Sequence, residues 1–188
     1  MVPRKLPLKA SFTICLSIVT LHLAGCGGGN DSVTPRFAYV ANNGSNNVSA
    51  FSIDAVSGAL TAVAGSPFAA GTLPRSVTVD PSGRFAYVAN SNSNDVSAYA
   101  INTATGALTA VPGSPFRAGT GPQCVSVDPS GKFAYVANSN SNDISAFAIN
   151  TSTVVHSTGA GSPVALGTGP LTVSVHPSGK FAYVANSN

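Results

Sequence analysis

Six aspartates, three histidines and three cysteines are the side chains of this 188-residue sequence suited to moving a proton, holding a metal or attacking an electrophile, and glutamate is absent. Their contexts argue against all three chemistries. Asp80 and Asp128 both open an Asp-Pro-Ser-Gly turn, and Asp95 and Asp143 both end an Asn-Ser-Asn-Ser-Asn-Asp run, where Asn47 stands earlier in the chain. Asp54 takes the place of Asn102 and Asn150, and Asp31 lies in a glycine-rich stretch near the N-terminus. A carboxylate required by a recurring turn is explained by that turn, so no pair is left over as a general acid and base. His22 lies in an apolar N-terminal stretch, His156 in a segment that departs from its counterparts, and His176 where the other turns have aspartate. Cys124, His156 and His176 fall in separate segments with none of the paired spacing that metal sites use. There is no Gly-x-Ser-x-Gly elbow and no phosphate-binding glycine loop ahead of a helix. The expectation is a chain with no catalytic residue, no metal and no cofactor.

The elements that carry these residues recur. Arg36-Phe-Ala-Tyr-Val-Ala-Asn42 returns from Arg84, Lys132 and Lys180, a fixed period of 48 residues. Periods of that size belong to propeller blades or paired-helix repeats. Ser76–Asp80, Phe85–Asn90, Asp95–Ile101 and Ala107–Val111 are short, alternating or β-branched runs, which favours strands. Asp-Pro-Ser-Gly supplies a preset φ at its proline and a glycine at its last position, as a hairpin turn between neighbouring strands requires. The expected fold is all-β: propeller blades of four antiparallel strands, about three to four of them. The Asn/Ser runs are read as loop chemistry, because asparagine tolerates left-handed backbone. A polar saccharide rim or a weak calcium site is the other reading of those loops, although one aspartate apiece is a poor calcium ligand set.

The segment from Ser76 to Val111, with its Asp-Pro-Ser-Gly turn followed by Tyr-Val-Ala-Asn, resembles blades of the YVTN/lactonase family of seven-bladed propellers, whose members include 6-phosphogluconolactonase-like proteins. The resemblance covers residues 33 to 188. It implies that the strand before Asp-Pro-Ser-Gly is innermost and the Tyr-Val-Ala-Asn strand second. On that phase the chain enters and leaves at a second strand, which implies a partial product of a longer propeller or a short chain that closes by homo-oligomerisation. The resemblance also implies a ligand site at the mouth of the central channel, where the inner strands begin. Repeat-equivalent positions that differ there are Arg75, Gln123 and Leu171, the candidate binding residues. Family enzymes often carry histidine after the Gly-x-Pro that opens each inner strand, and this sequence has Arg75-Ser76, Gln123-Cys124 and Leu171-Thr172 instead. A non-catalytic binding or structural scaffold is therefore the first functional expectation. A lactone hydrolase is the alternative.

The N-terminus addresses the chain for export. Arg4, Lys5 and Lys9 precede an apolar stretch from Ala10 to Ala24, too short to cross a bilayer core of roughly 30 Å as a helix. Leu23-Ala-Gly-Cys26 looks like a bacterial lipobox, which implies a signal peptide over 1–25, lipidation at Cys26 and a flexible tether over 26–34 ahead of the propeller at 35–188. The expected location is the cell envelope, on the outer membrane in a Gram-negative host. Without the three leader charges, six basic side chains face six acidic ones, so no basic stripe remains for nucleic acid. The expected partners are a membrane, through Cys26, and a protein or polysaccharide ligand. Cys15 and Cys26 belong to the leader and the lipid site, which leaves Cys124 without an internal disulfide partner, as a small core filler.

Overall fold

The computed structural model describes residues 17–19, 36–150, 155–159 and 161–187, and every regular element among them is a β-strand. Cys26, the 26–34 tether, His22 and Asp31 lie outside the described residues. His156 is described in its backbone alone.

Strand β1 (Ser17–Val19) pairs antiparallel with β2 (Arg36–Asn42), which continues through β3 (Asn47–Ile53) to two short outer pieces, β4 (Leu60–Ala62) and β5 (Phe68–Ala69). The second blade repeats the order with β6 (Pro74–Val79), β7 (Phe85–Asn90), β8 (Asp95–Ile101), β9 (Leu108–Ala110) and β10 (Phe116–Arg117). The third has β11 (Pro122–Val127), β12 (Phe133–Asn138), β13 (Asp143–Asn150), β14 (Val155–Thr158) and β15 (Val164–Ala165), and β16 (Pro170–Val175) with β17 (Ala182–Asn186) form a two-stranded fourth sheet. The four-strand blade and its phase are as the sequence predicts. Two details differ. The outer strand is broken in two by the Gly-Ser-Pro segment, both pieces pairing with the third strand, and the serine–proline bonds at 66–67, 114–115 and 162–163 are cis. In addition β1, from the apolar stretch read as leader, occupies the inner-strand place of the first blade, where its backbone pairs with the edge that β2 otherwise presents. Within the drifted segment, Val155–Thr158 still form outer strand β14, since backbone pairing survives side-chain change.

The aspartate turns do what the repeat requires of them. Asp80 Oδ1 accepts from the backbone N–H groups of Arg84 (2.9 Å) and Phe85 (2.8 Å), while its Oδ2 accepts from Ser82. Asp128 repeats the pattern on Lys132, Phe133 and Ser130. Burial tends to raise the Asp128 pKa, but the hydrogen bonds from Ser130, Phe133 and Lys132 together outweigh it and hold the carboxyl below its ordinary value. Arg36, Arg84, Lys132 and Lys180 are exposed; Arg36 opens β2, Arg84 and Lys132 stand one residue before β7 and β12, and Lys180 stands two before β17.

Strand alternation decides how blades stack. Phe37 and Tyr39 face Val77, Ala86, Val88, Tyr99, Ile101 and Leu108 of the next blade, and Phe85, Tyr87 and Ala89 face Val125, Ala134, Val136, Phe147 and Ile149 in the same way. Each blade interface thus joins the second-strand aromatics of one blade to small, branched residues and one third-strand aromatic, Tyr99 or Phe147, of the next. Burial pushes the Tyr39 phenol up to about 12. Its hydroxyl donates to the carbonyl of Gly106 at 2.9 Å, which meets the hydrogen-bonding need that comes with burying a tyrosine. Cys124 is half-buried beside Ala137, Ile144 and Val173, a looser setting than the filler role predicts because the fourth sheet has only two described strands.

Candidate functional site

The inner strands β6, β11 and β16 each carry one extra residue near their start. In β6 the register passes from Pro74↔Asn90 to Ser76↔Ala89, so Arg75 is the bulge; β11 bulges at Gln123 and β16 at Leu171. A bulged residue leaves the ladder and re-aims its side chain. All three residues picked out by their variability therefore sit on the same device, 48 residues apart. Arg75 is exposed, Leu171 is exposed, and Gln123 is half-buried, its Nε2 within reach of Ser91 Oγ (3.2 Å), Ser139 Oγ (3.1 Å) and the Gly121 carbonyl (3.3 Å). The arrangement ranks them: Arg75 offers a guanidinium to solvent, Gln123 ties two blades together, and Leu171 adds an apolar wall.

The Asn/Ser loops stand at this same end and serve the scaffold. Asn46, Asn94 and Asn142 adopt left-handed backbone (φ 56°, 59° and 56°), and their Oδ1 atoms accept from the N–H groups of Leu73 (2.8 Å), Gly121 (2.9 Å) and Gly169 (2.8 Å) at the entry to the following blade. Asn90 donates to Asp95 (2.7 Å) and Ser97 (2.9 Å), and Asn138 to Asp143 (2.7 Å) and Ser145 (2.9 Å). The left-handed asparagines are as the turn reading predicts, and the structure adds that these loops clamp one blade to the next. Among the described residues no group of three His, Cys, Asp or Glu side chains converges on a metal site.

One feature of this end was not among the candidate binding residues. Arg117 in β10 lies between two open clefts of about 260 Å³ each, one lined by Ser93, Asn94 and Asp95, the other by Asp143, Phe147 and Pro163. Its signal was available, because Ala69 and Ala165 hold the same repeat position. His176 takes the turn place of Asp80 and is exposed, with Nδ1 2.8 Å from Ser178 Oγ and accepting from Ser178 N at 3.1 Å. It stacks edge-on against Phe181 and Tyr183 as a turn residue, away from the bulges.

The family model for lactonase, a 7-bladed β-propeller, matches residues 32–118 and again 113–188. The chain belongs to the lactonase family of β-propellers. Among solved structures, a candidate 6-phosphogluconolactonase from Bacteroides uniformis superposes with a TM-score of 0.70 at 22% identity, over 87% of this chain and 52% of the other. The periplasmic gluconolactonase of Pseudomonas aeruginosa gives 0.68 at 22% identity, over 81% of this chain and 44% of the other. A hydrazine synthase from Kuenenia stuttgartiensis shares the fold as well, at TM-score 0.60 and 23% identity, over 87% of this chain and 45% of the other. The lactonase-family chain thus spans about half the length of these neighbours. No curated protein matches it. At such identities the likeness concerns fold, and the blades extend over the whole described propeller region.

Proposed function

We propose that this lactonase-family chain forms the lactone-recognition face of an exported propeller, with Arg75 holding the anionic group of a sugar-acid lactone at the channel mouth. The observation that carries the reading is the bulge in β6, which presents an exposed arginine where the next inner strands present Gln123 and Leu171. A guanidinium binds carboxylate or phosphate through two parallel hydrogen bonds, a geometry lysine cannot match. Hydrolysis of a lactone needs a water oxygen to attack the ring carbonyl while a base takes its proton and the ring C–O bond opens to a hydroxy acid. Arginine stays protonated and cannot be that base, and glutamine and leucine cannot either. Turnover therefore requires a base other than these three side chains, and their contribution is binding.

The second reading, a scaffold that binds a polysaccharide or protein without turnover, rests on that same lack of a base at the described mouth residues. Glucono-δ-lactone and its 6-phosphate separate the two. Binding is measured by calorimetry and ring opening by proton release, for the wild-type chain and for Arg75→Ala. The expected result is preference for the phosphorylated lactone and a loss of at least about ten-fold in affinity with Arg75→Ala, the scale of a hydrogen bond to a charged group. Ring opening above the spontaneous rate would favour the hydrolase. Absence of any binding would remove both lactone roles.

Export and anchoring belong to this proposal too, supported by Leu23-Ala-Gly-Cys26 behind a short apolar stretch. Metabolic labelling with a palmitate analogue is expected to mark the wild type and to be lost in Cys26→Ser; equal labelling would refute lipidation.

A further inference from the structure

Two repeat positions in the second and third blades carry groups that the scaffold does not use. The first is the start of the third strand. In the first blade it is Asn47, whose Oδ1 accepts from Asn42 Nδ2 at 2.7 Å and from Ser45 Oγ at 3.1 Å. Asp95 Oδ1 accepts from Asn90 and Ser93 at the same two distances, and Asp143 Oδ1 accepts from Asn138 at 2.7 Å. An amide oxygen thus meets the whole requirement of the clamp. The carboxylates add a charge and a second oxygen, and among the described residues no hydrogen bond reaches Oδ2 of either.

The second position lies across the ladder, in the outer strand. Ala69 pairs with Asn47 and Ala165 with Asp143, so a methyl group satisfies the fold there, whereas Arg117 pairs with Asp95. Opposite charges directly across a strand pair ordinarily attract. Arg117 is nevertheless exposed and forms no ion pair among the described residues. Its side chain borders both open clefts of about 260 Å³, one with Asp95 and Pro115, the other with Asp143, Phe147 and Pro163. Both clefts belong to blades whose inner, second, third and outer strands are all described, so neither is an end face of the stack.

A guanidinium between two half-buried carboxylates selects by charge and by hydrogen-bond type. An anion gains one cation but faces two carboxylates, and a cation finds a guanidinium between its two partners. A hydroxyl both donates and accepts, so neighbouring hydroxyls satisfy both kinds of group, donating to Oδ2 of Asp95 or Asp143 and accepting from the N–H groups of Arg117. Proline and phenylalanine walls beside a few convergent polar groups suit the C–H faces of a sugar ring. We propose that the rim of the second and third blades binds a neutral oligosaccharide, successive sugar rings lying in the two clefts and bridged by Arg117. This site stands on the outer strand and is independent of the lactone reading of the channel mouth.

The test uses the exported chain, as its host processes it, in a detergent without sugar head groups. Cellotriose and maltotriose are the neutral probes, with glucose, trigalacturonate and a chitosan trimer for comparison, and saturation-transfer NMR and calorimetry read binding. At least one neutral trisaccharide is expected to bind more tightly than glucose and than either charged trimer. Arg117→Ala, Asp95→Asn and Asp143→Asn install residues that other blades carry at these positions, so the melting temperature is expected to hold. Affinity is expected to fall at least about ten-fold in Arg117→Ala and roughly two- to ten-fold in each asparagine variant. Arg75→Ala is expected to leave it unchanged; a loss there equal to that in Arg117→Ala would put the sugar at the channel mouth and overturn the rim site. So would a chain that binds neither neutral trisaccharide, a charged trimer that binds more tightly, or an Arg117→Ala variant that binds as the wild type does.

Discussion

The second blade and the β16–β17 sheet are written in nearly the same residues, yet one is core and the other surface. Phe85 and Tyr87 are 4% and 1% exposed, while Phe181 and Tyr183 are more than half exposed. Residue type is identical; what differs is the apolar face of a following blade, which covers the first pair and, among the described residues, does not cover the second. Burial in a repeat protein is a property of neighbours, because each unit contacts mainly the units beside it. The same contrast runs through the turns, where Asp80 and Asp128 gather several backbone N–H groups and His176 gathers one.

The sharpest way to break this comparison is to truncate both phenylalanines. Phe85→Ala is expected to destabilise the chain by about 3–5 kcal/mol, the range for removing a buried aromatic and leaving a cavity. Phe181→Ala is expected to change the stability of the single chain by less than about 0.5 kcal/mol, as exposed substitutions do. Urea melts at a concentration where the chain is monomeric measure both. Equal losses would mean that the fourth sheet is covered in solution.

A smaller effect separates the turns. Asp128→Asn keeps the shape and removes a charged acceptor that is nearly buried, at an expected cost of about 1–3 kcal/mol near neutral pH. The sign of its pH dependence follows from the depressed carboxyl. A group whose folded pKa lies below its unfolded value contributes fully above the ordinary carboxylate pKa of about 3.9, and the contribution disappears as pH falls through the folded value. The gap between wild type and variant should therefore be wide at neutral pH and close under acid. A gap that stays constant down to that range would detach the turn's stability from ionisation.

The blade and its phase were legible in the sequence because the period is fixed and the turn residues recur. Asp80, Asp128 and the Tyr-Val-Ala-Asn strands each do in three dimensions what their spacing requires. Arg75, Gln123 and Leu171 could be selected as variable positions, but the bulge that re-aims them could not be seen, since an extra residue in one strand appears only when the partner strand is aligned to it. Arg117 stands out from Ala69 and Ala165 at its repeat position, but its neighbours in space, Asp95 and Asp143, begin the third strands of two different blades, and sequence order separates them. The split of the outer strand was hidden for a similar reason: Gly113-Ser114-Pro115 marks a break, while pairing of both pieces with one strand depends on the third strand being long enough to receive them.

The finest test of the contrast between sheets lies at His176. In the second blade the carboxylate of Asp80 fastens Arg84 and Phe85, and β7 begins at Phe85; in the fourth sheet Lys180 reaches only Ser178 Oγ, at 3.4 Å, and β17 begins one residue later, at Ala182. Restoring the carboxylate with His176→Asp gives those two N–H groups the acceptor that their counterparts have. Against this stands the loss of the imidazole's edge contacts with Phe181 and Tyr183, whose centroids lie 6.2 and 6.5 Å away. Aromatic pairs of that kind contribute about 0.5–1.5 kcal/mol when buried and less at an exposed site. Two hydrogen bonds to a charged acceptor outweigh them even after screening by water, so a net gain of roughly 0.5 kcal/mol is expected. Amide exchange reads the outcome directly: slower exchange at Lys180 and Phe181 in the variant would show that the turn residue sets where the strand starts. Unchanged exchange at both would place the cause in the exposed face of the sheet rather than in the turn.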